Sequence, residues 1–201
     1  MNETFEKLPF ARILERFAAR TPTPGGGAAA GLNAALGASL AAMALRFSVP
    51  RKVEQHELLE EAAAFEMAGT RFARAADQDC AAYERVRDSY RLPKESDEEQ
   101  RVRREAIHQA TLGALASPLE LMKEIGLNLE KLAARKGEVK EMLRSDLVSA
   151  GWAFRAGCEM AWQNVKINAE GLDDDPQAVA GLAEGRQVLD RVAALCEDLA
   201  G

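Results

Sequence analysis

The segment TPTPGGG (residues 21–27) runs directly into AAAGLNAALG (residues 28–37). Its two prolines fix the approach of the backbone, and its three glycines allow positive φ and close contact with a neighbouring group. The residues that follow are nearly all small and include no proline, so the glycines are predicted to open a helix. A glycine-rich turn at a helix N-terminus exposes backbone N–H groups and the positive end of the helix dipole. The segment therefore predicts either a site for an anion or a polar ligand edge, or a tight turn between two closely packed helices.

Nucleotide and nucleic-acid binding are both disfavoured. The glycine segment matches neither the Walker pattern nor G-x-G-x-x-G, and no strand pattern precedes it. The formal net charge of the chain is −6, whereas phosphate binding needs a basic surface. We therefore expect no nucleic-acid partner.

The composition predicts a core of small aliphatic side chains. Apolar residues make up 47% of the 201 residues but aromatic residues only 5%, so the core is built mainly from Ala, Leu, Val and Met. Small side chains bury little area each, which favours close helix packing and a further subunit to complete the core.

Three widely separated cysteines, Cys80, Cys158 and Cys196, show no C-x-x-C spacing. This usage predicts a reducing, cytoplasmic location and supports neither a zinc site nor a disulfide framework. The N-terminus lacks the basic and apolar regions of a signal peptide. Residues 28–45 have the length of a membrane span, but they are mainly Ala and Gly, so a buried helix and no membrane partner are expected.

Almost every segment shows helical periodicity and none shows sustained strand alternation. The sequence therefore predicts an all-α bundle of six or seven helices around a central Ala/Gly-rich helix, in a single domain over residues 1–201. The predicted helical stretches are residues 5–17 with an interruption near Pro9, 27–47, 51–90, one after the capping box Ser96–Glu99, one opened by Ser117-Pro118 and ended near Gly137, 141–170, and one after Pro176.

Asp79 and Tyr83 are four residues apart on the long third helix and share one face. The residues after Asp79 are small, so its carboxylate is predicted to be partly buried. Burial raises the pKa of a carboxyl group and suits acid–base chemistry. The alternative is a solvated aspartate paired with Arg85 or Arg87.

Three polar residues lie on the predicted helix 141–170. Asp146 stands near its start, where an aspartate is most often a cap, and Asn164 and Asn168 share a face that needs either interhelical hydrogen bonds or a ligand. Asp146 and Asn164 stand ~27 Å apart along an unbroken helix. They therefore serve separate sites, or a symmetry mate brings them together, or the helix breaks between them. His56 and His108 lack ligand spacing and are expected at the surface, without a metal.

An ordered set of short motifs resembles the cyclodeaminase/cyclohydrolase family of tetrahydrofolate enzymes. The match begins at Pro24-Gly25-Gly26-Gly27 with the Ala/Gly-rich helix and continues, in order, through the residues Asp79-Cys80-Ala81-Ala82-Tyr83, Leu92-Pro93-Lys94, Pro118-Leu119, Ser145-Asp146 and Asn164-Val165-Lys166-Ile167-Asn168. These motifs span most of the chain, from about residue 5 to residue 172.

The resemblance implies an all-helical homodimer with folate sites at the subunit interface and no metal or redox cofactor. It implies that Asp79 is the general base or cation stabiliser, that Tyr83 orients it, and that Asp146 is a second carboxylate of unassigned role. By the same resemblance, Pro24, Gly25, Gly26 and Gly27 form the folate-binding turn, and Asn164 and Asn168 supply amides to the pterin or to the subunit contact. Where the family often carries a lysine-rich segment after the Ala-rich helix, this chain offers Arg51 and Lys52 to the folate tail.

Three functions remain open on this resemblance. A free-standing domain favours a methenyltetrahydrofolate cyclohydrolase, in which water attacks the methenyl bridge and 10-formyltetrahydrofolate forms. The alternative enzyme is a formimidoyltetrahydrofolate cyclodeaminase, in which N10 attacks the formimino carbon and ammonia leaves. The third is a helical dimer that has kept the fold and lost the chemistry.

Overall fold

The computed structural model describes residues 4–52 and 56–201. These residues form six α-helices, three short 3₁₀ turns and no strand, which confirms the predicted all-α bundle. The helices are α1 Phe10–Ala18, α2 Gly26–Ser48, α3 Glu57–Ser89, α4 Asp97–Ala134, α5 Arg144–Ala169 and α6 Pro176–Ala200.

Helix α2 lies at the centre, between α3 and α5, and its small residues allow both neighbours to approach closely. A Cβ at Gly31 would lie 2.6 Å from the carbonyl oxygen of Phe72 in α3. On the other side, a Cβ at Gly157 in α5 would lie 2.9 Å from the carbonyl oxygen of Ala30. Because real Cβ atoms essentially never approach backbone this closely, glycine is required at both contacts.

The same helix is long and apolar enough to cross a membrane, with a mean hydropathy of 1.6 over its most apolar stretch. In this fold 56% of that stretch is buried, as expected of a core helix. The absence of a membrane partner stays a prediction.

Helix α4 is one continuous helix, so the predicted new helix at Pro118 is wrong. Pro118 lacks the N–H that would bond the carbonyl of Ala114, four residues earlier. Asn168 in α5 supplies the missing donor, because its Nδ2 lies 2.8 Å from Ala114 O. Since the freed carbonyl is satisfied by a neighbouring helix and Pro118 itself is buried, α4 continues past the proline.

Other helix ends differ from prediction by a few residues. Helix α3 begins at Glu57 rather than near Arg51, with the N–H of Leu58 donating to Nδ1 of the N-cap His56 at 3.1 Å; residues 53–55 lie outside the described residues. Helix α4 ends at Ala134, so Gly137 lies in a following 3₁₀ turn rather than at the helix end. The capping box of Ser96 and Glu99 is present as predicted.

The N-terminal segment covers the start of α2. The backbone N–H of Phe5 lies 3.3 Å from both carboxylate oxygens of Asp77 in α3. Phe5 also packs with Ala28 and Ala76 in a small apolar cluster. This cluster fixes the first turn of α2 against α3, close to Asp79.

Candidate active site

A pocket of about 250 Å³ lies where the turn before α2 meets α3, α4 and α5. It brings together six of the residues singled out in the sequence. Its lining residues are Pro22, Thr23, Gly25, Gly26, Asp79, Ala82, Tyr83, Val86, Ala114, Asn164 and Asn168.

The Asp79 carboxylate lies directly against the first turn of α2. Gly25 is the N-cap in extended conformation, and Gly27 follows in the helix. A Cβ at Gly27 would lie 1.9 Å from Oδ1 and 2.8 Å from Oδ2 of Asp79, so only glycine leaves room for the carboxylate. The turn therefore permits the close packing of α2 and α3, and the N-terminus of α2 faces the charged Asp79 side chain. Its role as a site for a ligand stays a prediction.

Two opposing effects act on the pKa of Asp79. Burial is the larger and raises the pKa above its ordinary value, while hydrogen bonding from the Ala28 N–H lowers it. Arg87 pairs with Asp88 instead, with Nε 3.0 Å from Oδ1. Within residues 4–52 and 56–201 Asp79 has no ion pair, so the salt-bridged alternative is not found. A half-buried carboxylate with a raised pKa is suited to accept and return a proton.

Tyr83 lines the pocket one helical turn beyond Asp79 and is 42% exposed. In the described part of the chain, no hydrogen bond joins its hydroxyl to the Asp79 carboxylate. The orienting role of Tyr83 therefore stays a prediction.

Asn164 and Asn168 both donate their amide N–H groups to backbone carbonyls. Asn164 Nδ2 lies 2.9 Å from Met160 O in its own helix, and Asn168 Nδ2 lies 2.8 Å from Ala114 O in α4. Of the two alternatives considered for these amides, an interhelical hydrogen bond is present at Asn168, whereas Asn164 bonds within its own helix. Each amide keeps its Oδ1 as an acceptor for the pocket.

Pro24, Asp146 and Lys52 do not line this pocket. Pro24 is buried in the turn itself. Asp146 lies in the first turn of α5, which is unbroken, so it stands ~27 Å from Asn164 along the helix. Lys52 is exposed beyond the C-terminal end of α2, and that helix spans ~33 Å from Gly26. The structure therefore removes a helix break as the way to bring Asp146 near Asn164.

Sequence reasoning missed the Ala114 carbonyl as part of this site. The signal was present, since a proline inside a helix always frees the carbonyl four residues before it. Pro118 was instead interpreted as a helix start.

No group of three His, Cys, Asp or Glu side chains that could hold a metal ion occurs in the part of the chain that the structure describes. Nε2 of His108 lies 3.1 Å from Oδ2 of Asp175, the N-cap of α6. His56 is itself the N-cap of α3. The absence of a metal or cofactor stays a prediction.

Several known proteins are similar to this chain in sequence. The family model described as formiminotransferase-cyclodeaminase matches residues 9–187. A methenyltetrahydrofolate cyclohydrolase of Methylorubrum extorquens is 33% identical, over 98% of this chain and 93% of that protein. The formimidoyltransferase-cyclodeaminase of Sus scrofa is 27% identical over 94% of this chain, which spans 34% of that longer protein.

A solved structure shows the same arrangement of helices. The crystal structure of formiminotetrahydrofolate cyclodeaminase from Thermotoga maritima superposes with a TM-score of 0.79 at 23% identity, covering 96% of this chain and 94% of that one. The family model spans most of the chain, and the Methylorubrum relative aligns over nearly its whole length. The chain therefore belongs to the formiminotransferase-cyclodeaminase family.

Proposed function

We propose that this protein is a methenyltetrahydrofolate cyclohydrolase, which hydrolyses N5,N10-methenyltetrahydrofolate to 10-formyltetrahydrofolate. The observation that carries the proposal is the half-buried Asp79 carboxylate, held against the first turn of α2 in a pocket that two asparagine side chains also line. The Methylorubrum relative, which carries this activity in its name, aligns over nearly the whole chain.

The reaction needs the chemistry that this pocket offers. The methenyl bridge is cationic, and a carboxylate beside it stabilises that charge. Water attacks the bridging carbon while Asp79 accepts one of its two protons. The C–N5 bond of the tetrahedral intermediate then breaks as the hydroxyl on the bridging carbon becomes the formyl carbonyl and releases the second proton to solvent. N5 gains a proton as the formyl group remains on N10. Asp79 thus acts as general base and returns the proton to N5.

A cyclodeaminase is the second candidate. A relative of that name is similar in sequence and a solved structure of that name has the same fold. In that reaction N10 attacks the formimino carbon, and a carboxylate takes the N10 proton and gives it to the leaving nitrogen, which departs as ammonia. The methenyl cation is the product of this reaction and the substrate of the cyclohydrolase.

We infer that the protein works as a homodimer through an exposed apolar face of α2 and α5. On α2, Leu36 is 58% and Phe47 65% exposed; on α5, Trp152 is 49% and Met160 36% exposed. The two rows lie side by side, since Asn33 Nδ2 in α2 is 3.6 Å from the sulfur of Met160. Large apolar side chains exposed together on one face favour an interface. We call these four residues the α2/α5 face.

The geometry of these helices favours a two-fold axis through the middle of that face. Helices α2 and α5 are antiparallel, and a Cβ at Gly37, the midpoint of α2, would lie 3.0 Å from Ala150 O and 3.1 Å from Phe154. The midpoint between Asp146 and Asn164 is residue 155, on the same level. A two-fold axis here exchanges the ends of both helices. It would bring the partner's Asp146 and Lys52 beside the Asp79 pocket.

The function is tested by the decay of methenyltetrahydrofolate absorbance with and without the purified protein. We expect faster decay to 10-formyltetrahydrofolate, which Asp79→Asn abolishes and Glu84→Gln, an exposed change five residues along α3, leaves intact. No acceleration, together with ammonia release from 5-formiminotetrahydrofolate, would instead establish the cyclodeaminase. Inactivity with both substrates would overturn both enzyme proposals and favour the non-catalytic dimer.

We further infer that the protein is a single-domain enzyme that acts in the cytoplasm and needs no metal or redox cofactor.

A further inference from the structure

Ala114 lines the pocket, and its carbonyl is freed by a residue that does not. In a regular helix this carbonyl accepts the N–H of residue 118, which here is a proline. Asn168 donates to it across the gap between α5 and α4, at 2.8 Å. Pro118 is buried and does not line the pocket.

This bond fixes which end of the Asn168 amide the pocket sees. If the amide were flipped, Oδ1 would lie against another oxygen that cannot donate, so Nδ2 must face Ala114 O. Asn164 is fixed in the same way by Met160 O at 2.9 Å. Each side chain therefore keeps Oδ1 as an acceptor, beside the acceptor carboxylate of Asp79, and has one Nδ2 hydrogen left. Such a wall, with more acceptors than donors, suits a ligand edge that carries N–H donors.

We propose that Pro118 is a positioning residue: by freeing the Ala114 carbonyl it orients the Asn168 amide, so that the pocket offers Oδ1 to an N–H-bearing ligand edge. The identity of the ligand rests on the proposed function. Under that function, the ligand edge consists of the amino group and the ring N–H of the pterin. Pro118 acts through Asn168 and contacts no ligand.

The first test is the variant Pro118→Ala, which restores an N–H at position 118. This N–H competes for Ala114 O and releases the Asn168 amide. We expect KM for methenyltetrahydrofolate to rise about three- to tenfold, as for the loss of one hydrogen bond, with kcat unchanged. The matched control Ser117→Ala lies in the same turn and keeps the backbone bonds of α4, so its KM should stay at the wild-type value. An unchanged KM in Pro118→Ala would overturn the proposal.

The second test needs no substrate and separates this proposal from the proposed function. In the wild-type background, Asn168→Ala leaves the Ala114 carbonyl without a donor. In the Pro118→Ala background, the restored N–H of residue 118 still donates to that carbonyl. We expect Asn168→Ala to lower the unfolding temperature more in the wild type than in Pro118→Ala; Asn168→Asp, which also lacks the donor, replaces it if the alanine variant does not fold. Equal losses in both backgrounds would overturn the positioning role. If the wild-type protein is inactive on folates, the pterin is excluded as the ligand. The comparison of Asn168→Ala in the two backgrounds then decides alone whether Pro118 positions Asn168.

Discussion

At the scale of single residues, Gly27 and Asp79 form one structural unit. The carboxylate occupies the space where any other residue at position 27 would place its Cβ, and it faces the positive end of α2. The two residues depend on each other, because the carboxylate can approach the helix start only where position 27 has no side chain.

Gly27→Ala tests this unit. The added methyl must displace the Asp79 carboxylate, and a reacting group moved by about 1 Å costs about 10²-fold in rate. The free energy of unfolding should change by only about 1 kcal/mol or less, because alanine is a better helix former and the displaced carboxylate is the end of a side chain. Turnover and thermal unfolding are measured on the same preparations.

Gly137→Ala is the control for that variant. Nothing lies within 4 Å of a Cβ at Gly137, which does not line the Asp79 pocket, so near wild-type activity is expected. Equal activity in the two variants would show that contact with Asp79 does not matter for catalysis.

The raised pKa of Asp79 predicts how stability depends on pH. Because burial raises this pKa, the folded state holds the proton more tightly than the unfolded chain does, and ionisation costs the folded state free energy at neutral pH. We therefore expect Asp79→Asn to unfold at the same or a higher temperature than wild type at pH 7. The difference should vanish as the pH falls below 3.8, the ordinary pKa of aspartate.

The activity of the same variant should fall about 10²–10⁴-fold, as for the loss of a general base. In the wild type, kcat/KM should rise with pH through a midpoint above the ordinary range of aspartate. A stable Asp79→Asn protein with wild-type turnover would remove Asp79 from the mechanism, whatever its unfolding temperature.

At the scale of elements, the helices themselves can be predicted from local sequence. Which helices pack against each other cannot. Periodicity, the Ser96 capping box and the glycine turn predicted α2 and the start of α4 closely, because these signals act within a few residues of themselves. Pro118 was misjudged because its missing N–H is compensated by Asn168, 50 residues away in the chain. The grouping of Asp79 with Asn164 and Asn168 came from the family resemblance, since spacing cannot tell which helices meet.

Close packing of α2 gives a prediction at this scale. Gly31→Ala places a methyl 2.6 Å from the backbone of α3, and a helix backbone cannot move aside cheaply, so we expect a loss of about 1–3 kcal/mol in the free energy of unfolding. Gly113→Ala, in the exposed face of α4 with nothing within 4 Å, should instead gain about 1 kcal/mol. Chemical denaturation measures both. A Gly31→Ala protein as stable as wild type would show that α2 and α3 have room to separate.

At the scale of the whole molecule, two of the predicted site residues lie far from the Asp79 pocket. Asp146 is at the far end of α5 from Asn164, and Lys52 lies beyond the far end of α2 from Gly26. The apolar α2/α5 face lies along these same helices. The two-fold axis that we propose would account for the exposed apolar side chains and for the distant residues together.

A mixing experiment tests whether each site draws on both subunits. If Asp79 of one subunit works with Asp146 of the other, Asp79→Asn and Asp146→Asn homodimers are both inactive. A mixed dimer then has one site with both changes and one site with neither. Random reassociation of equal amounts should restore about a quarter of wild-type activity, because half of the dimers are mixed and each has one intact site.

Sites contained within one subunit predict no recovery, since every subunit then lacks one carboxylate. Trp152→Glu supplies the control, because a charge in the centre of the α2/α5 face should yield monomers by sedimentation and abolish both activity and complementation. Recovery in the mixture therefore identifies a shared site. An active Asp146→Asn homodimer would instead leave Asp146 as a helix-start residue, stabilised by the N-terminal dipole of α5.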